Sequence, residues 1–233
     1  AYLRLRRYNP APFAAYFNLD DAAVLCSSPE RFLKVHNCQV ETKPIKGTRR
    51  RSAFAYEDRA LAVDLLESQK DRAENLMIVD LLRNDLGKNC ITGTVAVPKL
   101  FALESYATVH HLVSTITGQL RPDRHVLDLL RGCFPGGSIT GAPKLRAMEI
   151  IEELEPHRRK VYCGAMGYVG FDGNMDTNIA IRTLLYNGEK MYCWAGGGIV
   201  SDSVMEAEYQ ECFDKAAAML YLLETKEIKE VGS

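Results

Sequence analysis

The sequence lacks any pair of cysteines spaced for a zinc site or a redox motif. Its seven cysteines are scattered along the chain, and none stands in a Cys-x-x-Cys pair. An odd, scattered set is typical of reduced thiols inside a cell and argues against a disulfide frame. We therefore expect a cytoplasmic location.

Long apolar runs and an excess of one charge are also missing. No stretch approaches the roughly 20 apolar residues of a membrane-spanning helix, and the N-terminus lacks the charged-then-apolar layout of a signal peptide. The 29 basic and 30 acidic residues give a formal net charge of -1. The basic clusters at residues 4–7 and 49–51 are short and local. We expect neither a membrane nor a nucleic-acid partner.

The first half of the chain alternates strand and helix patterns. Residues 13–48 predict four short strands in a meander, and residues 52–87 have helical spacing that ends at Gly87. Strand patterns follow at 95–100 and 108–118, then a short helix with Asp123 as its cap. A longer helix follows Lys144, and its predicted inward residues are Leu145, Met148, Ile151 and Leu154.

The second half predicts strands at 162–171, 178–186 and 190–196, separated by the turn dipeptides Asp172-Gly173 and Asn187-Gly188. A last helix begins near Ser203, where Glu206 completes a capping box. Its predicted inward residues are Met205, Tyr209, Cys212, Phe213, Ala216, Leu220 and Leu223. The pattern predicts an α+β fold of mostly antiparallel sheets packed against helices, as one domain over residues 1–233.

Lys46 is the most informative single residue. It stands in Pro-Ile-Lys-Gly-Thr at the end of a strand pattern, between a rigid proline and a glycine that allows a sharp turn. Such a site can desolvate the amine, and a desolvated, uncharged amine can act as a nucleophile. The alternative is an ordinary solvated lysine in a loop.

Two acidic pairs have the spacing of a helix face. Asp71 and Glu74, and again Glu208 and Glu211, are three residues apart, which places both carboxylates of each pair on one side of a helix. Together they could hold Mg²⁺, a cation that prefers a few carboxylates, several waters and substrate oxygens. Solvated helix faces are the alternative.

Two further segments could bind an anion. Residues 136–144 combine glycines with a helix N-terminus, which suits a carboxylate, although a packing turn explains the glycines equally well. Arg182 lies in the predicted strand 178–186, where it could hold a carboxylate or form an internal salt bridge. Of the adjacent His110 and His111, only one can face a pocket. Glu30, after Ser-Pro, is held rigidly enough for acid–base work.

These segments together resemble the family of chorismate-utilising enzymes, which includes anthranilate synthase component I. The matching stretches are residues 28–33, 44–48, 73–85, 137–144, 146–149, 176–183, 196–200 and 202–203. The resemblance implies a chorismate-binding catalytic domain. Anthranilate synthases carry alanine where Lys46 stands, so the lysine resembles the branch that forms 4-amino-4-deoxychorismate.

The resemblance also implies a mechanism and a set of site residues. Lys46 would attack the ring at C2 while Glu30 protonates the departing C4 hydroxyl, and ammonia would then enter at C4. Glu74 and Glu211 would hold Mg²⁺, supported by Asp71 and Glu208, and His111 would lie near the ring carboxylate. The remaining predicted substrate contacts are Gly47, Thr48, Ser138, Tyr162, Arg182, Gly198 and Lys215.

A glutamine amidotransferase subunit would supply the ammonia, for 4-aminobenzoate and folate synthesis. Family members begin well before the position matched by Ala1, so we expect this chain to be N-terminally truncated. Two alternatives stay open. One is an anthranilate or isochorismate synthase, against which Lys46 argues. The other is an inactive fragment that binds chorismate.

Overall fold

The computed structural model describes residues 1–201 and 203–224. They form two compact units. Unit 1 contains Ala1–Pro29, Arg159–Tyr162 and the chain from Ala180 onward, and unit 2 contains Glu30–Arg158 and Cys163–Ile179. The prediction of one domain over residues 1–233 concerns the family domain as a whole and stays a prediction. No helix of the described chain is both long enough and apolar enough to span a bilayer.

Strands and helices follow one another in groups along the chain. The strands are β1 Phe13–Asn18, β2 Ala23–Ser28, β3 Arg31–His36, β4 Gln39–Lys43, β5 Ile45–Arg50, β6 Ala96–Ser105, β7 Val109–Gln119, β8 Ala165–Val169, β9 Met175–Ile179, β10 Thr183–Tyr186 and β11 Met191–Cys193. The helices are α1 Tyr2–Tyr8, α2 Ala55–Glu67, α3 Gln69–Gly87, α4 Val126–Cys133, α5 Lys144–Leu154 and α6 Met205–Glu224. A 3₁₀ turn, Gly137–Ile139, lies between α4 and α5.

Unit 1 is a small antiparallel sheet packed against helices. Its four strands lie in the order β1-β2-β10-β11. The apolar side chains of the sheet pack with those of α1 and α6 in a single cluster: Leu5, Ala23, Leu25, Leu184, Ala216, Met219 and Leu222. Burial of this cluster holds the C-terminal helix on the sheet.

Unit 2 contains a seven-stranded antiparallel sheet. Six of the strands lie in the order β5-β7-β4-β3-β9-β8. The seventh strand, β6, is outside this order and also pairs with β7. Helix α3 packs against β7 and β5 and buries the stripe Ile78, Val79, Leu82 and Leu86. The α+β class and the antiparallel sheets are confirmed. The predicted single meander is wrong because the chain leaves one sheet after β2 and enters the other at β3.

Several local predictions differ from the structure. The cap of α4 is His125, which forms a capping box with Asp128, whereas Asp123 pairs with Arg121. The turn after β10 is shifted by one residue, because the Asn187 N–H donates to the Lys190 carbonyl. Gly188 and Glu189 are therefore its central residues.

The predicted inward faces of the last two long helices are largely wrong. Helix α5 has no buried residue, and Leu145 and Leu154 are 77% and 72% exposed. On α6 the buried residues are Ala216, Met219 and Leu222, while Met205 is 77% exposed. An apolar stripe shows that a helix can bury a face, but it does not show what lies against that face.

Candidate active site

Lys46 lies on a bulge in β5. Ile45 is paired with Val113 and Thr48 with His111, so two residues of β5, Lys46 and Gly47, stand opposite one residue of β7. Bulges commonly redirect a side chain next to a functional site. The Lys46 Nζ donates a hydrogen bond to the Ser138 carbonyl at 3.2 Å.

The partner of Lys46 is a neutral carbonyl. No ion pair to Lys46 occurs among residues 1–201 and 203–224. A lysine that pairs with a carboxylate is held as a charged, non-nucleophilic ammonium. The arrangement of Lys46 is therefore compatible with nucleophilic chemistry.

Gly47 allows the bulge and the close approach of α3. Its φ is +86°, and a Cβ at this position would lie 2.9 Å from the Cβ of Asp71 and 2.8 Å from Leu65 Cδ1. Gly47 and Asp71, two of the predicted site residues, therefore lie side by side.

The acidic pair of α3 lies beside basic side chains. Asp71 is 3.2 Å from an Arg49 guanidinium nitrogen, and Glu74 is 4.0 Å from Lys70 Nζ. The pKa of Arg49 is raised; burial opposes the rise, and hydrogen bonds and charge from Asp64 and Asp71 outweigh it. The Arg49 contact of Asp71 favours a supporting role over direct metal ligation.

Thr48 and His111 form a second contact at the same strand pair. The Thr48 Oγ1 lies 2.9 Å from His111 Nδ1, and His111 is buried. His110 points elsewhere: it contacts Ser105 and Asp58 at 2.7 Å and 3.1 Å. The two adjacent histidines therefore have separate environments, as alternation along a strand requires.

Glu30 and Ser138 complete the predicted residues of unit 2. Glu30 is 5% exposed, and its carbonyl accepts the Ile179 N–H at 3.1 Å. Within 136–144, the Ile139 and Thr140 N–H groups close local turns, and Lys144 pairs with Asp85. The anion site expected from these glycines thus has fewer available donors than the sequence suggested.

Unit 1 contains the other predicted residues. Arg182 is not in a strand, because β9 ends at Ile179; it lies between β9 and β10 with a φ of +49°. A positive φ at a bulky residue is uncommon and often accompanies a functional site. Its carbonyl accepts the Ser27 N–H, which holds this turn against β2.

The acids of α6 converge near a glycine segment. A Cβ on Gly197 would lie 3.0 Å from Glu208 Oε2 and 3.5 Å from Glu211 Oε2. Lys215 Nζ is 2.7 Å from Glu211 Oε1 and donates to the Gly196 carbonyl. The two carboxylates thus share a small region, while Lys215 is already bonded to protein groups.

Tyr162 packs on the single tryptophan of the chain. Its ring is stacked on Trp194 with a centroid distance of 6.5 Å. Gly198, another predicted substrate contact, is exposed in the irregular segment after β11. Asp202, which belongs to the matching stretches, lies outside the described residues.

Within unit 1 the Glu208 and Glu211 carboxylates are hard oxygen ligands of the kind that Mg²⁺ prefers, and within unit 2 so are those of Asp71 and Glu74. Within the described chain, no group of three or more His, Cys, Asp or Glu side chains is clustered closely enough to hold a metal. The convergence of Glu208 and Glu211 fits a site completed by water and substrate oxygens. The metal assignment stays a prediction.

Sequence reasoning missed a buried polar network behind the bulge. Asn75 is fully buried, donates to the Leu112 carbonyl and accepts from Ser114 Oγ at 2.6 Å. Leu112 is the residue opposite Lys46 and Gly47, so Asn75 bonds α3 to β7 at this point. An asparagine on the same helical stripe as Ile78 and Leu82 was the available signal.

The model of a family described as chorismate binding enzyme matches residues 1–221. The chain belongs to this family. The resemblance inferred from the sequence is confirmed.

Two of the similar relatives have different names. Aminodeoxychorismate synthase component 1 of Escherichia coli strain K12 is 57% identical over 96% of this chain and 49% of its own length. Anthranilate synthase component 1 of Aquifex aeolicus is 46% identical over 97% and 46%. The chain thus spans about half the length of these curated relatives.

A solved structure of the family confirms the fold. Anthranilate synthase component I from Streptococcus pneumoniae superposes with a TM-score of 0.84 at 42% identity. The match covers 94% of this chain and 48% of that protein.

Proposed function

We propose that this chain aminates chorismate at C4 to give 4-amino-4-deoxychorismate. The observation that carries the proposal is Lys46 on the β5 bulge, bonded to a neutral carbonyl. The higher identity to a relative named aminodeoxychorismate synthase, 57% against 46% for one named anthranilate synthase, supports the same branch.

The reaction has two displacements. The Lys46 amine forms a bond to C2 as the ring double bond shifts and the C4–O bond breaks, and Glu30 gives its proton to the departing hydroxyl. Ammonia then forms a bond to C4, the double bond returns, and the C2–N bond to Lys46 breaks. The Glu30 carboxylate takes back a proton from the new C4 ammonium. A covalent path of this kind replaces one difficult substitution with two easier ones.

Other residues would orient the substrate. If the Thr48 hydroxyl donates to Nδ1 of His111, Nε2 carries the hydrogen and can donate to the ring carboxylate of chorismate. Arg182 and Tyr162 would bind the enolpyruvyl carboxylate, together with Ser138 and the Gly198 backbone. Gly47, Thr48 and Lys215 would line the pocket.

We assign Mg²⁺ to Glu74 and Glu211, with Asp71 and Glu208 in support. Bound Mg²⁺ would neutralise the ring carboxylate. The hard carboxylate oxygens of α3 and α6 are consistent with this donor set.

The proposal extends to the setting of the reaction. A relative named as component 1 implies a second component, and we propose a glutamine amidotransferase that supplies ammonia. We place the product in 4-aminobenzoate and folate synthesis, in the cytoplasm.

The test is product identification with chorismate, Mg²⁺ and ammonium, followed by mass analysis of the protein. Wild type should form 4-amino-4-deoxychorismate and a transient adduct on Lys46. Lys46→Ala should form neither. Lys43→Ala is the matched control, because Lys43 is a strand lysine paired with Glu104, and it should retain both. An adduct that persists in Lys46→Ala would overturn the assignment.

The second candidate is anthranilate formation. It is favoured by the relative and the solved structure named anthranilate synthase, at 46% and 42% identity. Anthranilate as the product of the wild-type chain would decide for it. Chorismate binding without any product would indicate an inactive binding fragment.

A further inference from the structure

The loop between α4 and α5 supplies the hydrogen-bond acceptor of the Lys46 amine. This loop carries Ser138, whose carbonyl accepts the hydrogen bond from Lys46 Nζ at 3.2 Å. A change in the loop would move that acceptor. The position of Lys46 therefore depends on whatever fixes this loop.

One ammonium bonds both ends of the loop. Lys144, the first residue of α5, donates from Nζ to the carbonyl of Cys133, the last residue of α4, at 2.8 Å. The same Nζ lies 2.5 Å from Asp85 Oδ2 on α3. Lys144 thus closes the loop upon itself and bonds it to the helix that also carries Asp71 and Glu74.

The loop backbone lies directly on its neighbours. A Cβ on Gly137 would be 2.8 Å from Leu81 Cδ2 of α3, and one on Gly136 would be 2.6 Å from Ile179 Cδ1 of β9. Such close packing leaves little freedom to absorb a displacement. A shift at the loop ends would therefore reach Ser138.

The ion pair of Asp85 with Lys144 is more buried than its ion pair with Lys88. The Asp85 side chain is 1% exposed and that of Lys144 is 15% exposed, whereas Lys88, 3.0 Å from Asp85, is 57% exposed. A buried carboxylate is strongly destabilised when its buried partner is removed, while an exposed ion pair contributes little. Lys88 therefore offers a matched control on the same carboxylate.

We propose that Lys144 and Asp85 are positioning residues that hold the Ser138 carbonyl against the Lys46 amine. The proposal rests on the proposed role of Lys46 as nucleophile. It gives Lys144 a structural role, because the Lys144 ammonium is bonded within the protein, and it leaves the proposed substrate contact of Ser138 unchanged.

The test compares Lys144→Met with Lys88→Met by two readouts. The first is the acetylation rate of Lys46 at trace acetic anhydride, measured by peptide mass relative to the other lysines; it requires no turnover. The second is kcat and KM for amination with ammonium. Circular dichroism and thermal melting set a temperature at which every variant is folded.

Lys144→Met should raise Lys46 acetylation at least about threefold, since the amine loses its acceptor and gains access to solvent. The kcat should fall roughly 10- to 100-fold, as expected for a misplaced reacting group, with KM changed less than about threefold. Asp85→Asn should repeat this pattern, Lys144→Arg should restore part of the activity, and Lys88→Met should match wild type.

Unchanged Lys46 acetylation in folded Lys144→Met and Asp85→Asn would overturn the positioning role. So would equal effects of Lys88→Met and Lys144→Met. A wild-type chain that makes no product would count against the proposed function alone, because the acetylation readout would still decide whether Lys144 and Asp85 position Lys46.

Discussion

At the scale of single residues, the candidate site depends on a glycine whose backbone and space are both constrained. Gly47 has a φ of +86°, and Asp71 and Leu65 occupy the volume that a methyl group would need. Gly93 has a similar φ of +82° with no atom within 4 Å of its hypothetical Cβ. A comparison of alanine substitutions at Gly47 and Gly93 therefore separates the cost of backbone strain from that of steric overlap.

We expect Gly47→Ala to lower the free energy of unfolding by about 3 kcal/mol or more, since strain and overlap add. Gly93→Ala should cost only about 1–2 kcal/mol, from the left-handed backbone alone. Urea unfolding of both variants measures the difference. Equal losses of unfolding free energy in the two variants would mean that α3 moves away from the new methyl group at no energetic cost.

A second residue-scale prediction concerns the acids of α6. Glu211→Gln should raise the Mg²⁺ concentration for half-maximal amination at least roughly tenfold, because a charged oxygen ligand is lost. Glu206→Gln, on the same helix and exposed, should leave it unchanged. A titration of activity against Mg²⁺ gives both values. An unaltered Mg²⁺ requirement in Glu211→Gln would remove this residue from the metal site.

At the scale of elements, the junction of α3 and β7 is held by a buried amide. The Leu112 carbonyl faces the bulge in β5 and receives its hydrogen bond from Asn75, which also accepts from Ser114. A buried polar group without a partner costs far more than an exposed one.

Asn75→Ala should therefore lower the free energy of unfolding by about 1–3 kcal/mol. Asn84→Ala, the same change at an exposed position of α3, should stay within about 0.5 kcal/mol of wild type. Chemical denaturation tests both. A loss in Asn84→Ala as large as in Asn75→Ala would attribute the effect to helix propensity and not to the network.

The positions of the helices and strands were easier to predict from the sequence than the faces that they bury. Periodicity located most helices and strands, because this signal is local. The glycine after Lys46 predicted a sharp turn, but the structure has a bulge inside β5 there, a strand that the sequence did not predict. Arg182 was wrongly placed in a strand, since apolar neighbours resemble a strand whether or not the backbone reverses its φ. The faces of α5 and α6 were misjudged because burial depends on partners distant in the chain.

At the scale of the whole molecule, the cysteines differ sharply in environment. Cys38 is exposed, whereas Cys90 and Cys133 are buried. Burial raises the pKa of Cys90 to about 11. Burial, with the nearby Asp85 charge, raises that of Cys133 to about 12. The reactive thiolate is thus a very small fraction of these two thiols near neutral pH.

We expect Cys38 to react rapidly with a disulfide reagent at pH 8, and Cys90 and Cys133 to react only after unfolding. A raised thiol pKa means that the thiolate fraction grows about tenfold per pH unit until the pKa is reached. Timed labelling with peptide mass mapping gives the rates, and Cys38→Ser should remove a fast phase. Rapid native labelling of Cys133 would contradict its buried environment.

Lys46 lies at the irregular step in the pairing of β5 with β7. Deleting Gly47 would restore a regular ladder between β5 and β7, because Ile45 and Thr48 would then be two steps apart, as Val113 and His111 are. The shortened strand would be a more ideal β-strand, yet alternation alone would then set the direction of Lys46. Under the nucleophilic role that we propose for Lys46, catalysis and regular sheet geometry therefore favour opposite choices at position 47.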